Sequence, residues 1–325
     1  MLLMPMGRGL NLRYIEMANT NKTLTLTSFN CEHADNFRLP FLKELFNKCD
    51  FLLIQEHGLL KSKLSWFHEL GENVGIHGVS AMKEDQLPWG RPHGGAAILW
   101  HGTVHNRVTP LSWDSSRCCA VTVDVAGETL LLVCVYMPCD DWRHDKNIIE
   151  YKNILNEISV ICNSTNASHV CIGGDFNTDI SRNTPQTEAL KLYLEDSNLY
   201  CCALDQTCNI DYTYCSKING STSFIDHFVI SQNLKDKLNA FLSSDPVNNP
   251  SDHAAISCNI ECNMSYNMPE MNKESTDRPA WHSANDRDIE MYKDCLDYNL
   301  LNIQVHLNII NCNNVMCNEH ESDIT

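Results

Sequence analysis

The stretch "CIGGDFNTDI", Cys171 to Ile180, follows the apolar run "HVCIG" with two glycines, a carboxylate, an aromatic ring and an amide. Such residues are ordinary at a strand-to-helix turn, where Asp and Asn cap helices and glycine tolerates positive φ. They also suit a second task. Asp175 and Asn177, two residues apart beyond a buried strand, would face one solvent-lined rim as a base beside an orienting amide. The sequence on either side has to decide between the two.

Working outward, short strand signals alternate with helical ones. "LTLTSFN" has period two, "LPFLKELFNKC" has helical spacing with Pro40 near its start, and "FLLIQE" is an apolar strand running into a carboxylate. "GGAAILWHG", "CCAVTVDV" and "TLLLVCVYMP" are three successive strands with turn residues between them. A long helix is expected from about Asp145 to Cys162 and another near Thr187 to Ser197, followed by strands at "DYTYCS" and "TSFIDHFVIS". Successive strands that pair as hairpins fit two packed sheets better than a doubly wound parallel sheet. The expected class is α/β (α+β): a four-layer αββα sandwich of two mixed, mainly antiparallel sheets flanked by helices. The expected divisions are a flexible N-terminus over 1–23, one catalytic-sized domain over 24–260, and an acidic linker with a short helical extension over 261–325.

At 325 residues and 43% hydrophobic content the chain can bury one large core or two smaller ones. No run of about 18 apolar residues occurs, so neither membrane insertion nor secretion is expected, and the location is read as nuclear or cytoplasmic. Seventeen cysteines lie scattered through strand-like runs, which fits free buried thiols in a reducing compartment better than a disulfide scaffold. The formal net charge of −17 argues against a broad basic surface for nucleic acid. Part of the excess is local, because from Asn259 onward four basic residues face twelve acidic ones. Beyond Ile260 the polar, methionine-rich "ECNMSYNMPEMNKESTDRPAW" reads as a linker before the helically spaced "DIEMYKDCLDYNLLNIQ". Cys312, Cys317 and His320 resemble part of a zinc site without a fourth ligand, and an incidental grouping in a polar tail is the better reading.

Polar groups recur where apolar runs stop or are punctured: Asn30, Glu56, Tyr136, Asp175 with Asn177, Asp226, and Asp252 with His253. Strands of a packed sheet end at its rim, so groups spread over most of the chain can converge there. Each has a plain structural alternative as a turn, cap or core residue. Asp226 resists that reading, because it interrupts an apolar strand and a buried carboxylate needs a partner, for which His253 is suited.

The order and wording of these pieces, "SFN", "IQEH", "VYMP", "GGDFN", "SFIDHFVIS" and "SDH", resemble the endonuclease/exonuclease/phosphatase superfamily from about Leu24 to Ile260. Within it, "SFNCEH", "GGAAILW", "TYCSKINGSTSFIDH" and "RPAWHSA" are most similar to the endonuclease domain of non-LTR retrotransposons. The resemblance implies a Mg²⁺ or Mn²⁺ ion held by Asn30, Glu56 and Asp252, with Asp175 and Asn177 handling the attacking water. It implies that His253, oriented by Asp226, and Tyr136 meet the phosphate. On that reading the two glycines permit close packing at the strand exit. One departure is Tyr136-Met137-Pro138-Cys139, where many members have Y-x-P-N.

Asn219-Gly220 is a strong hairpin-turn signal. In the resembling endonucleases such a hairpin enters the DNA groove, which makes Thr213, Tyr214, Lys217 and Ser223 candidate substrate contacts. The function expected is a Mg-dependent DNA-nicking phosphodiesterase acting as a monomer, with a reverse transcriptase region lost or encoded elsewhere. A phosphoesterase for a small or lipid phosphate, and a truncated element that binds a partner without catalysis, are the alternatives.

Overall fold

The computed structural model describes residues 22–84, 92–125, 127–139, 145–205, 208–262 and Lys293. The expectations for 1–21 and for nearly all of 263–325, including Cys312, Cys317 and His320, lie outside them. Fourteen strands and four α-helices are present among the described residues. In chain order they are β1 (Lys22–Asn30), α1 (Leu39–Phe46), β2 (Phe51–Gln55), β3 (Val74–Val79), β4 (Ala96–His101), β5 (Val108–Pro110), β6 (Cys118–Val125) and β7 (Glu128–Tyr136). There follow α2 (Asp145–Ser164), β8 (His169–Asp175), α3 (Pro185–Asp196), β9 (Leu199–Cys201), β10 (Tyr214–Cys215), β11 (Thr222–Ser223), β12 (Asp226–Ser231), α4 (Gln232–Lys235), β13 (Leu238–Ser244) and β14 (Ala255–Cys262).

The strands form two six-stranded sheets, ordered β13-β14-β1-β2-β4-β3 and β5-β6-β7-β8-β12-β9, with β10 and β11 a separate hairpin. Only β1–β2 and β7–β8 pair in parallel; the other pairs within the two sheets are antiparallel. Central strands are apolar on both faces, and their alternation sorts side chains into separate layers. Phe51 and Leu53 of β2 meet Leu130, Leu132 and Cys134 of β7 in the layer between the sheets. Leu52 and Ile54 turn the other way, onto Phe41, Leu42 and Leu45 of α1. Leu131, Val133 and Val135 likewise turn onto Tyr151, Ile154 and Ile158 of α2 and Leu190 and Leu194 of α3. The result is the αββα sandwich that the alternating runs imply. The expected short helix and strand order holds, while β3 and β13, whose sequences carry weak alternation, emerge only through pairing with β4 and β14.

The thirteen cysteines among the described residues for which a state is assigned are all free, and most are buried. Desolvation pushes the Cys31, Cys49 and Cys201 thiols up to about 12, which keeps them protonated and inert. No helix among the described residues is long and apolar enough to cross a membrane.

The strand register builds the site. Tyr136 pairs with Asp175 across β7–β8, and Asp175 pairs with Asp226 across β8–β12. Three polar groups from distant parts of the chain are thus lined up on neighbouring strands. In the facing sheet, Asn30 pairs with Gln55, so Glu56 follows at the same rim.

Candidate active site

The two glycines are required by their neighbours. A Cβ on Gly173 would stand 2.4 Å from the Phe228 ring, and one on Gly174 would stand 2.0 Å from the Val135 carbonyl oxygen. The strand therefore leaves the inter-sheet core close against β7 and β12, and delivers Asp175 in a buried position at the rim.

Asp175 is held by amides on both carboxylate oxygens. Its Oδ1 accepts from the Asn177 backbone N–H at 2.8 Å, and its Oδ2 accepts from Asn30 Nδ2 at 2.9 Å and Asn177 Nδ2 at 3.3 Å. Asn177 Nδ2 also donates to the Met137 carbonyl at 2.8 Å, tying the β7 and β8 exits together. Asn177 sits at φ +48° and Glu56 at φ +53°. Left-handed backbone is uncommon for residues with a Cβ and costs of order 1–3 kcal/mol, and such strain clusters at functional sites.

His253 Nδ1 lies 2.9 Å from Asp226 Oδ2 and 3.2 Å from Oδ1, and His253 Nε2 lies 3.9 Å from Asp175 Oδ2. All three residues are buried. Burial opposes charge on the imidazole, but the attraction and hydrogen bond of Asp226, with Asp175 behind them, outweigh it and raise His253 to about 10. Burial first, and the charge of Asp226 second, raise Asp175. Burial and then the charges of Glu56 and Cys139 push the Tyr136 phenol far above its ordinary value, so it remains a hydrogen-bond donor.

Asp175, Asp226 and His253 bring one ligand atom each within 4.8 Å of one another, an arrangement able to hold a cation. Two buried carboxylates at this separation carry a repulsion that a divalent ion offsets, and their oxygens are the donor type that hard cations take. Glu56, across the cleft, lines the same cavity of about 640 Å³ as Asn177, His253, Tyr214 and Ser223. Its Oε1 accepts from Asn30 Nδ2 at 3.0 Å.

Several expected residues are engaged by contacts within the protein. Asn30 turns its amide nitrogen to the carboxylates of Glu56 and Asp175 and its Oδ1 to the Glu32 N–H at 3.0 Å. Asp252 faces the hairpin: its carboxylate meets Lys217 Nζ at 3.4 Å and the Lys217 N–H at 3.4 Å, and it is not part of the three-residue cluster. Thr213 is fully buried and its Oγ1 accepts from the N–H groups of Ile225 and Asp226, both at 2.9 Å, which secures the strand carrying Asp226. Tyr214 and Ser223 do line the cavity.

Sequence reasoning missed Arg182, which lies on the cavity wall with Asp179 and Thr184. Arg182 pairs with Asp179 at 3.2 Å and donates from Nη2 to the Thr222 carbonyl at 3.1 Å and Ser223 Oγ at 2.9 Å. It straps the loop after β8 to the hairpin. An arginine seven residues past the "GGDFN" carboxylate gave no local signal of that contact.

Residues 130–257 match the family model described as endonuclease-reverse transcriptase. The chain has the αββα fold of endonuclease/exonuclease/phosphatase proteins, to which that partial family match also points. More particularly, it is similar to the endonuclease domain of TRAS1, a telomere-specific non-LTR retrotransposon, with a TM-score of 0.55 and 15% identity, covering 74% of this chain and 99% of that one. It is also similar to the AP endonuclease of Leishmania major (TM-score 0.58, 13% identity, 74% and 88% covered) and to the APE2 catalytic domain of Xenopus laevis (0.57, 16%, 74% and 92%). No curated protein matches the sequence.

Proposed function

We propose that this chain is a Mg²⁺-dependent phosphodiesterase that nicks duplex DNA in the manner of retrotransposon endonucleases. The observation that carries the reading is the line Asp226–His253–Asp175, a cationic imidazole bound on one side to a carboxylate and facing a second across 3.9 Å. Glu56 and the carboxylates of Asp175 and Asp226 are the residues that would hold the ion, while the protonated His253 remains a donor. Once bound, such an ion polarises a phosphate oxygen and offsets charge developing in an in-line displacement.

The chain's own groups supply the rest. Asp175 accepts the proton of the attacking water; burial and Asp226 raise its carboxyl into the range where a base works near neutrality. Asn177 and Asn30 fix that carboxylate in one orientation through two side-chain hydrogen bonds and one backbone hydrogen bond. His253, held in register by Asp226, presents Nε2–H to a non-bridging phosphate oxygen. Tyr136 adds a neutral donor from a neighbouring strand. On this reading the catalytic unit spans 24–260, the extension after it is dispensable, and a reverse transcriptase region lost or encoded elsewhere would be its partner.

The net charge of −17 favours a different substrate, a small phosphate, within the same chemistry. Incubation of supercoiled plasmid with the purified chain separates the two. Open-circular product that forms with Mg²⁺ and disappears with EDTA supports the proposal; hydrolysis of a soluble phosphate ester with the plasmid left intact rejects it.

A further inference from the structure

The exit of β7 carries a contact that the catalytic line does not use. The Arg117 guanidinium lies over the Tyr136 ring, its central carbon 5.2 Å from the ring centroid. An arginine over an aromatic face is a frequent surface contact and by itself assigns no role. Here three further observations bear on it.

The pair is fixed through the backbone. Tyr136 N–H donates to the Arg117 carbonyl at 2.8 Å, one step beyond the Cys118–Val135 pair that joins β6 to β7. The two side chains therefore start from facing positions on neighbouring strands, the arrangement in which cross-strand pairs interact.

The guanidinium is held in turn by α2. Its Nη2 lies 3.0 Å and its Nε 3.1 Å from the same Glu150 oxygen, and the arginine side chain is only 26% exposed. An ion pair between two loose surface chains contributes little, but both ends of this one are anchored. Glu150 precedes Tyr151, which is fully buried in the layer between α2 and the second sheet. One turn earlier, Asn147 Nδ2 donates to the Cys139 carbonyl at 2.9 Å. The first turns of α2 thus grip the β7 exit on both sides of Tyr136, through Arg117 and through Cys139.

The third observation is chemical. Burial, and then the charge of Glu56, push the Tyr136 phenol upward, which makes its O–H a weaker donor. A cation over the ring face draws on the negative π-density and polarises the O–H the other way.

We infer that Arg117, held by Glu150, is a positioning residue for Tyr136: it fixes the phenol ring at the β7 exit and strengthens its O–H as a donor to the phosphate in the transition state. The inference rests on the phosphodiester-cleaving reading above.

The test is plasmid nicking with Mg²⁺ by the full chain as wild type, Arg117→Met, Glu150→Gln, Tyr136→Phe and the double variant of Arg117→Met with Tyr136→Phe. Methionine keeps an aliphatic chain beside the ring and removes the charge. Arg117→Met should lower kcat about fivefold, the ratio that ~1 kcal/mol gives, and leave KM in place. Glu150→Gln should lower kcat by less. In the Tyr136→Phe background, Arg117→Met should cost nothing further, because it acts through the hydroxyl. Equal losses in both backgrounds would assign Arg117 to packing, and a raised KM at unchanged kcat would make it a direct phosphate contact; either result overturns the inference while leaving nicking intact. A second measurement uses neither metal nor substrate. In protein carrying tyrosine isotope-labelled at the ring ζ carbon, the resonance missing from Tyr136→Phe should move in Arg117→Met and, by less, in Glu150→Gln. An unmoved resonance overturns the inference whatever the nicking rates. Wild-type protein that cleaves neither plasmid nor a soluble phosphate ester overturns the underlying reading, and the inference with it.

Discussion

The ring of Tyr214 meets the imidazole of His253 edge-on, with centroids 5.1 Å apart, and the two residues also form an isolated antiparallel bridge. One contact thus joins the hairpin to His253, the histidine of the proposed catalytic line. Truncating Tyr214 to Ala removes an aromatic pair worth ~0.5–1.5 kcal/mol beyond its burial. The expected outcome is a nicking rate lowered about three- to tenfold, together with a broader nick distribution. A changed distribution at full rate would place Tyr214 in selection alone.

Asp175→Asn and His253→Ala should each lower metal-dependent nicking by ~10² to 10⁴, the usual loss for a group acting in the transition state. They should differ in stability. The neutral amide relieves the charge that burial and Asp226 oppose, but its NH2 would face an N–H group that now donates to the carboxylate, so the midpoint should fall less than that of His253→Ala. His253→Ala strips Asp226 of a buried cationic partner and should lower the midpoint. Scanning calorimetry in EDTA reads both shifts, and nicking at wild-type rate in either folded variant would remove it from the mechanism.

Gly174→Ala tests the strand exit. The backbone there has φ +156°, and the added Cβ would lie 2.0 Å from the Val135 carbonyl oxygen, which belongs to a neighbouring strand and has nowhere to move. A loss of about 2–4 kcal/mol on urea unfolding is expected. Gly127→Ala is the control, since nothing lies within 4 Å of its Cβ, and there only the positive φ of +83° should register.

His57, adjacent to Glu56, gives the fold a pH dependence of its own. Burial lowers it to about 4, and its ring nitrogens are both engaged, one with the Val79 carbonyl at 3.0 Å and Nδ1 with the Leu59 N–H at 3.0 Å. A histidine whose folded pKa lies below its unfolded value of 6.5 binds more protons when unfolded, so stability rises with pH between the two. Metal-free protein should therefore lose stability from pH 6.5 down to about 4. His57→Gln, which retains a donor and an acceptor, should flatten that limb; an unchanged slope would assign the acid lability to other groups.

The sequence by itself determined the layers and the rim. Continuous apolar runs such as "TLLLVCVY" must bury two faces, and the carboxylates and amides that end those runs have to sit at an edge where water reaches. Asp226 was legible as a partner for His253 because a charge inside an apolar strand demands one. Only the tertiary structure decided what touches what across strands. Register places Asp175 between Tyr136 and Asp226, turns Asp252 toward Lys217, buries Thr213 behind Asp226, and brings Arg182 onto the hairpin. Those contacts join residues from separate elements. The reason they escape the sequence is physical: side-chain alternation fixes which face a residue takes, while pairing register and loop closure, set by the summed packing of two sheets, fix its neighbours.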